Sequence, residues 1–192
     1  MNSWFKMLNI VCFVLLIAFG NTISGQAWNS ARLSILSGGN IPFNFNSLER
    51  FKNGITITDG TKLGISLATN NITGHDLTGF ILNFRSFNNQ TVLQGDSYTL
   101  PLSTIRVVAG NAIGLESGHS EGRQDLSADW TALFTYENLS WTDLTWTNDQ
   151  LNISYDCGIS VSAGGNGSLL GEEPDYYQVE IEFELIPTGS GF

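Results

Sequence analysis

The chain has 192 residues, of which 18 are acidic and 8 are Lys or Arg, giving a formal net charge of −10. That balance argues against nucleic acid as a partner, because neutralising phosphates takes clustered Lys and Arg, and against docking on an anionic membrane surface. Two cysteines, Cys12 and Cys157, are too few for a disulfide framework.

The N-terminus reads as a leader. "MNSWFKMLNIVCFVLLIAFGNTISGQ" sets Lys6 before an apolar run from Leu8 to Gly20, followed by small and polar residues ending at Gly25, the order of a secretory signal peptide. The run is shorter than the ~20 residues a spanning helix needs, and no later segment is long and apolar enough to anchor the chain. Residues 1–25 are therefore expected to be removed. Asn9, Ile10 and Val11 before Cys12 lack the small residues that lipoprotein processing favours. The expectation is an exported protein at the cell surface, outside the cell or in the periplasm, without membrane insertion, whose residues 26–192 form one domain.

Strand signals then recur along the chain. "ARLSILS" alternates Ala31, Leu33 and Ile35 with polar partners, and "IPFNFNS" alternates Ile41, Phe43 and Phe45 with Pro42, Asn44 and Asn46, so both read as half-buried strands. "NSLERFKN" has a polar start that can cap one short helical turn. "GITIT" and "TKLGISLAT" flank Asp59-Gly60, a pair that accepts positive φ and predicts a hairpin turn. "GFILNFRSF" puts Phe80, Leu82 and Phe84 on one face. "YTLPLSTIRVV" contains Pro101, which cannot donate to a ladder and predicts an edge or bulged strand. "RQDLSADW" offers a second capped turn. "DWTALFTYE" aligns Trp130, Ala132, Phe134 and Tyr136 as a core face, "LTWT" pairs Leu144 with Trp146, and "QLNISYDC" directs Leu151, Ile153, Tyr155 and Cys157 inward. Cys157 is thus expected as a buried thiol, with an intermolecular disulfide as the alternative.

The closing stretch "DYYQVEIEFELIP" places Tyr177, Val179, Ile181, Phe183 and Leu185 on one face and Gln178, Glu180, Glu182 and Glu184 on the other. Five inward side chains contribute roughly 1.5 to 3 kcal/mol each before entropy, so one face meets a core and the other meets water. Aligned acids also discourage edge-to-edge aggregation. Many short strands without helical spacers predict an all-β antiparallel β-sandwich of immunoglobulin-like or pilin-like architecture, with a barrel as second choice.

Charge is unevenly distributed. Residues 26–109 hold four acids and six bases, whereas residues 110–192 hold fourteen acids and Arg123 alone. His75 and His119 sit in loop-like sequence, and beside Asp76 and Glu121 they fall short of a metal ligand set. "TNDQ", "GEEPD" and "ATNNITGHD" are oxygen-rich but match no calcium-loop spacing, so no metal or other cofactor is expected, calcium being the one to consider. "SAGGNGSLLG" lacks the lysine and following helix of a phosphate loop. "SGHS" has no nucleophile elbow around it, and nothing among the acids selects a glycosidase pair. The parity of Trp141 and Tyr176 turns them outward, where aromatic rings can stack on sugars. "SYDC" has the Tyr-x-Cys spacing of a late immunoglobulin strand, but no earlier cysteine follows the leader to pair with it. N-x-S/T sites occur at Asn71, Asn89, Asn138, Asn152 and Asn166.

The leader before Gln26, the segment "IPFNFNSLERFKNGITI" and the closing "LLGEEPDYYQVEIEFELIP" resemble small exported proteins of Bacteroidota, which are similar in plan to pilin-like and adhesin-like β-sandwiches. Gly171 and Tyr177 match the glycine and aromatic of a chaperone-assembled pilin's last strand. The chain departs from that class in having no disulfide and in running on through "PTGSGF". The resemblance implies a non-enzymatic structural or adhesive subunit whose partner is itself or another surface subunit. Assembly would proceed by strand addition, with Ala31, Leu33 and Ile35 of "QAWNSARLSILS" as the donor face. The alternatives are a carbohydrate-binding module that holds polysaccharide on Trp141 and Tyr176, and a hydrolase with an unrecognised carboxylate pair.

Overall fold

In a computed structural model, residues 30–68, 77–113, 119–137, 149–159 and 167–189 are described. The leader, Trp141, Trp146 and His75 lie outside them, as do the sites at Asn71, Asn138 and Asn166. The strands are β1 (Ser30–Ser37), β2 (Ile55–Ala68), β3 (Leu77–Ser86), β4 (Val92–Gln94), β5 (Thr99–Pro101) and β6 (Ile105–Ile113). They continue with β7 (His119–Glu121), β8 (Arg123–Asp125), β9 (Thr131–Glu137), β10 (Gln150–Cys157) and β11 (Ile181–Gly189), and one short helix, α1 (Leu48–Asn53), precedes β2. Two sheets carry the fold, β1-β2-β10-β6-β8 and β11-β3-β9-β7, with β4-β5 as a small separate ribbon. Among the described residues every ladder is antiparallel and no sheet closes into a barrel, so the architecture is the all-β sandwich.

The core lies between the inward faces of the two sheets. Phe80, Leu82 and Phe84 of β3, Leu63, Ile65 and Leu67 of β2, Val107 of β6 and Ile153 of β10 are all fully buried. Phe80 stacks on Phe134 of β9 with centroids 5.8 Å apart, and Phe84 meets Phe183 of β11 at 6.4 Å. Such aromatic pairs add about 0.5–1.5 kcal/mol to what area burial gives. Cys157 is buried and free, and burial in apolar surroundings pushes its thiol pKa up to about 12. The expected helical turn at 48–53 is present, with the Ser47 hydroxyl accepting from the Arg50 amide.

Several sequence expectations need correction, and each has a local cause. Asp59-Gly60 does not turn a hairpin; β2 runs straight through it. Ile57 pairs with Tyr155 and Thr61 with Ile153, so Thr58, Asp59 and Gly60 together face Ser154 alone. The positive φ of Asp59 (52°) serves a bulge, and its N–H donates to Ser154 Oγ at 3.0 Å. Strand β10 is long enough to pair with both halves of β2, so the two halves need not fold onto each other. Tyr155 OH donates to Thr61 Oγ1, which donates in turn to the Gly38 carbonyl, tying the bulge to the end of β1.

A second bulge explains the misassigned face of β9. Leu82 pairs with Phe134 but Asn83 with Ala132, leaving Leu133 as the extra residue. Parity reverses at that point: Leu133 is buried, Ala132 is exposed, and Trp130, expected in the core, is 37 % exposed. Residues 41–46 alternate as predicted, with Ile41, Phe43 and Phe45 against the core, yet they form no ladder. Alternation there reports the side-chain face and not strand pairing. "YTLPLSTIRVV" is two elements, the short β5 ending in Pro101 and the central β6, joined by a 3-10 turn at Leu102–Thr104. "RQDLSADW" forms β8 and a loop instead of a helical turn, because Arg106, Val107 and Val108 take Asp125, Gln124 and Arg123 as ladder partners.

Candidate functional site

The edges of the sandwich decide what the molecule can present. Strand β1 ends the five-stranded sheet, β11 ends the four-stranded one, and the two touch along one side of the fold. Within the β1–β2 ladder Ala31 faces Leu67, Leu33 faces Ile65 and Ile35 faces Leu63. Cross-strand partners share a face, so all three donor candidates point inward as expected. Their burial does not follow. Ala31 is exposed, Leu33 is half-buried against the core and Ile35 is 60 % exposed, because β11 overlaps only part of β1.

The same seam is open from the other side. Ile181, Phe183 and Leu185 pack against the core as the sequence reading expects, but each is only half-buried. Two strand edges with incompletely covered apolar faces thus run beside each other. After β1 the chain passes through Gly38 and Gly39; Gly38 has φ 75°, and a Cβ there would lie 1.7 Å from the Gly60 carbonyl oxygen. That close approach requires glycine, and with the Thr61 hydroxyl donating to the Gly38 carbonyl it fastens the end of β1 to the β2 bulge.

A second feature lies where the loop before β5 meets the segment before β11. Ser97, Tyr98, Thr99, Glu172, Glu173 and Tyr177 line an open groove of about 310 Å³. Asp175 fastens its two walls. Its Oδ2 accepts the Ser97 and Tyr98 amides at 2.8 and 2.9 Å and its Oδ1 accepts the Tyr176 amide at 2.7 Å. Those amides, Ser97's first, hold the carboxyl below its usual range. Tyr177 OH donates to the Glu173 carbonyl. Its pKa is raised by desolvation first and then by Asp175, Glu172, Glu173 and Tyr98. Gln178 pairs with Gln94 of β4, so residues 175–180 are held by the ribbon before β11 begins.

Tyr176 is 75 % exposed and outward as predicted, next to this groove but not part of its lining. Tyr98, 48 % exposed on the opposite wall, was not singled out from sequence. Its signal is an aromatic following the turn pair Asp96-Ser97. Trp141, the other predicted platform residue, lies outside the described residues. The Asn152 sequon sits in mid-strand on β10 and is buried, whereas that of Asn89 lies in an exposed turn. No group of three or more metal-ligating side chains occurs among the described residues.

A third cluster lies on the outer face of the β11 sheet. Arg85 Nε donates to Glu182 Oε1 at 2.6 Å, its Nη1 donates to Asn89 Oδ1, and its Cζ sits 4.3 Å from the Trp130 ring centroid. Arg85 and Glu182 face each other in the β3–β11 ladder, a pairing set by strand order and register, which parity alone does not give. The tryptophan contact depends in addition on the Leu133 bulge, which turns Trp130 outward. Comparison with protein-family models and with curated proteins finds no match for the chain.

Proposed function

We propose that this protein is an exported, non-enzymatic structural or adhesive subunit of a cell surface or extracellular matrix, and that copies join through the β1 edge. The observation that carries the reading is the seam: an inward apolar side chain, Ile35, left 60 % exposed on an edge strand beside the half-covered face of β11. Among the described residues β1 has one ladder partner, β2, and one side chain packed against the core, Leu33. Such a strand can leave its own β2 and pair with a neighbour's, where Ala31, Leu33 and Ile35 fill the same seam. The partner is a second copy or another subunit of like build.

Deleting residues 26–37 is expected to abolish assembly and lower stability. Unchanged assembly and unchanged stability would refute strand exchange.

A second reading is favoured by the groove. Exposed Tyr98 and Tyr176 beside the Glu172 and Glu173 carboxylates offer ring faces for sugar stacking and acceptors for sugar hydroxyls. In that reading Tyr98→Ala and Trp141→Ala each reduce retention of the protein on polysaccharide while the fold stays intact. Absence of retention by the parent chain removes it.

A further inference from the structure

The uneven charge of the sequence becomes a division between two faces in the fold. On the outer face of the β11 sheet, parity places Glu180, Glu182 and Glu184 in a row, with Glu137 exposed at the end of β9. Arg85, paired with Glu182, is the one base on that face among the described residues. On the outer face of the opposite sheet, parity places Arg32 of β1, Lys62 of β2, Arg106 of β6 and Arg123 of β8. The acids Asp125 and Asp156 there each meet an arginine, Arg106 at 2.8 Å and Arg123 at 3.3 Å. Among the described residues, Arg32 and Lys62 add positive charge on one side beyond those two pairs, with Asp59 exposed at the β2 bulge, and Glu137, Glu180 and Glu184 add negative charge on the other.

Each face also carries apolar surface for a partner to cover. Ile186, two residues beyond Glu184 on the same outer face, is 38 % exposed, and Trp130, 37 % exposed, lies over Arg85. Leu36 lies half-exposed over Gly64 on the basic side. Apolar groups ringed by charges of one sign suit a partner with the reverse charges, and the opposite face of the same molecule has them.

We propose that the Arg32/Lys62 face of one copy docks on the Glu180/Glu184 face of a second copy. The two surfaces differ, so the contact is heterologous. It does not close on itself as a two-fold dimer does, and repetition produces a stack of sandwiches. The net charge of −10 opposes association at long range, but screening within about 10 Å at 0.1 M salt leaves the local complementarity to decide. This contact deepens the structural-subunit reading, yet it is independent of the exchange of β1.

The test is a pair of charge-reversed mature chains, Glu180→Lys with Glu184→Lys and Arg32→Glu with Lys62→Glu, compared with the parent by sedimentation velocity in 0.1 M salt. Each variant alone presents two faces of one sign and is expected to associate roughly 10-fold or more weakly than the parent. Mixed in equal amounts, the two are expected to recover the large species. Recovery on mixing cannot come from unfolding. Parent-like association by either variant alone, or no recovery from a mixture of two folded variants, overturns the proposal. So does a parent that stays monomeric, or one whose basic face captures a soluble polyanion while self-association ignores both reversals. If either reversal prevents folding, Glu180→Gln with Glu184→Gln takes its place, and association at the parent level then overturns the proposal. Ile35→Lys separates the two contacts: it blocks β1 exchange and leaves the recovery on mixing intact.

Discussion

Ile35 and Leu63 face each other across the β1–β2 ladder and point the same way, yet Leu63 is fully buried and Ile35 is 60 % exposed. Leu63→Ala is therefore expected to cost about 2–5 kcal/mol, as a cavity in a packed core does. Ile35→Ala is expected to cost less than about 1 kcal/mol, since little apolar area is lost from contact. Chemical denaturation of the two variants reads the difference directly. Equal losses would mean that the seam is closed in solution.

The Asp59 bulge makes a separate demand on the backbone. A β-branched side chain at φ 52° is strained, so Asp59→Val is expected to destabilise by about 1–2 kcal/mol, while Asp59→Gly stays close to the parent. The mutated bulge is also expected to speed amide exchange in both β2 and β10, since both strands are tied through it.

Cys157 predicts both reactivity and pH dependence. Its folded-state pKa is raised from 9.0 to about 12 by burial, so the thiol binds its proton more tightly in the folded chain. Between those two values the unfolded chain holds fewer protons than the folded one. Stability is fully retained below pH 9 and falls as pH rises toward 12, at a slope of at most about 1.4 kcal/mol per pH unit from this group. Tyr155, raised chiefly by desolvation, steepens the loss above its ordinary value of 10.0. At neutral pH the folded protein is expected to resist thiol alkylation until denaturant is added. Rapid labelling of the native protein would contradict the buried position.

Asp175 acts at the other end of the scale. Its carboxyl is lowered by the Ser97, Tyr98 and Tyr176 amides, so its contribution is present above the ordinary carboxylate range and is lost as pH falls through the lowered folded value. Hydrogen exchange at Ser97 and Tyr98 is expected to accelerate in Asp175→Ala at neutral pH, and in the parent only in strong acid. The groove loosens with it, while the core strands keep their protection.

What the sequence made legible was the direction of side chains wherever a ladder runs without interruption. Phe80, Leu82 and Phe84 on β3 and the alternating glutamates of β11 are such cases, because period-two patterning and a buried face specify each other. Legibility failed at bulges, where one extra residue reverses parity: Trp130 left the core through Leu133, and Asp59-Gly60 became a kink in a strand instead of a turn. It failed again at edges. Ala31 and Ile35 were directed correctly, but their exposure depends on how far β11 overlaps β1, a matter of tertiary placement. The groove joins Tyr98 to Glu172 and Glu173 across more than seventy residues of chain, so only the Tyr176 side of it had a local signal.

The most direct measurement is the mass distribution of residues 26–192 by light scattering over a concentration series, beside a Leu33→Glu, Ile35→Glu variant. At about 1 M salt, where the charged-face contact is screened, the expected result is oligomers that grow with concentration in the parent and a folded monomer in the variant. Monomers at every concentration in both chains, or oligomers of the same size in both, would contradict assembly through β1.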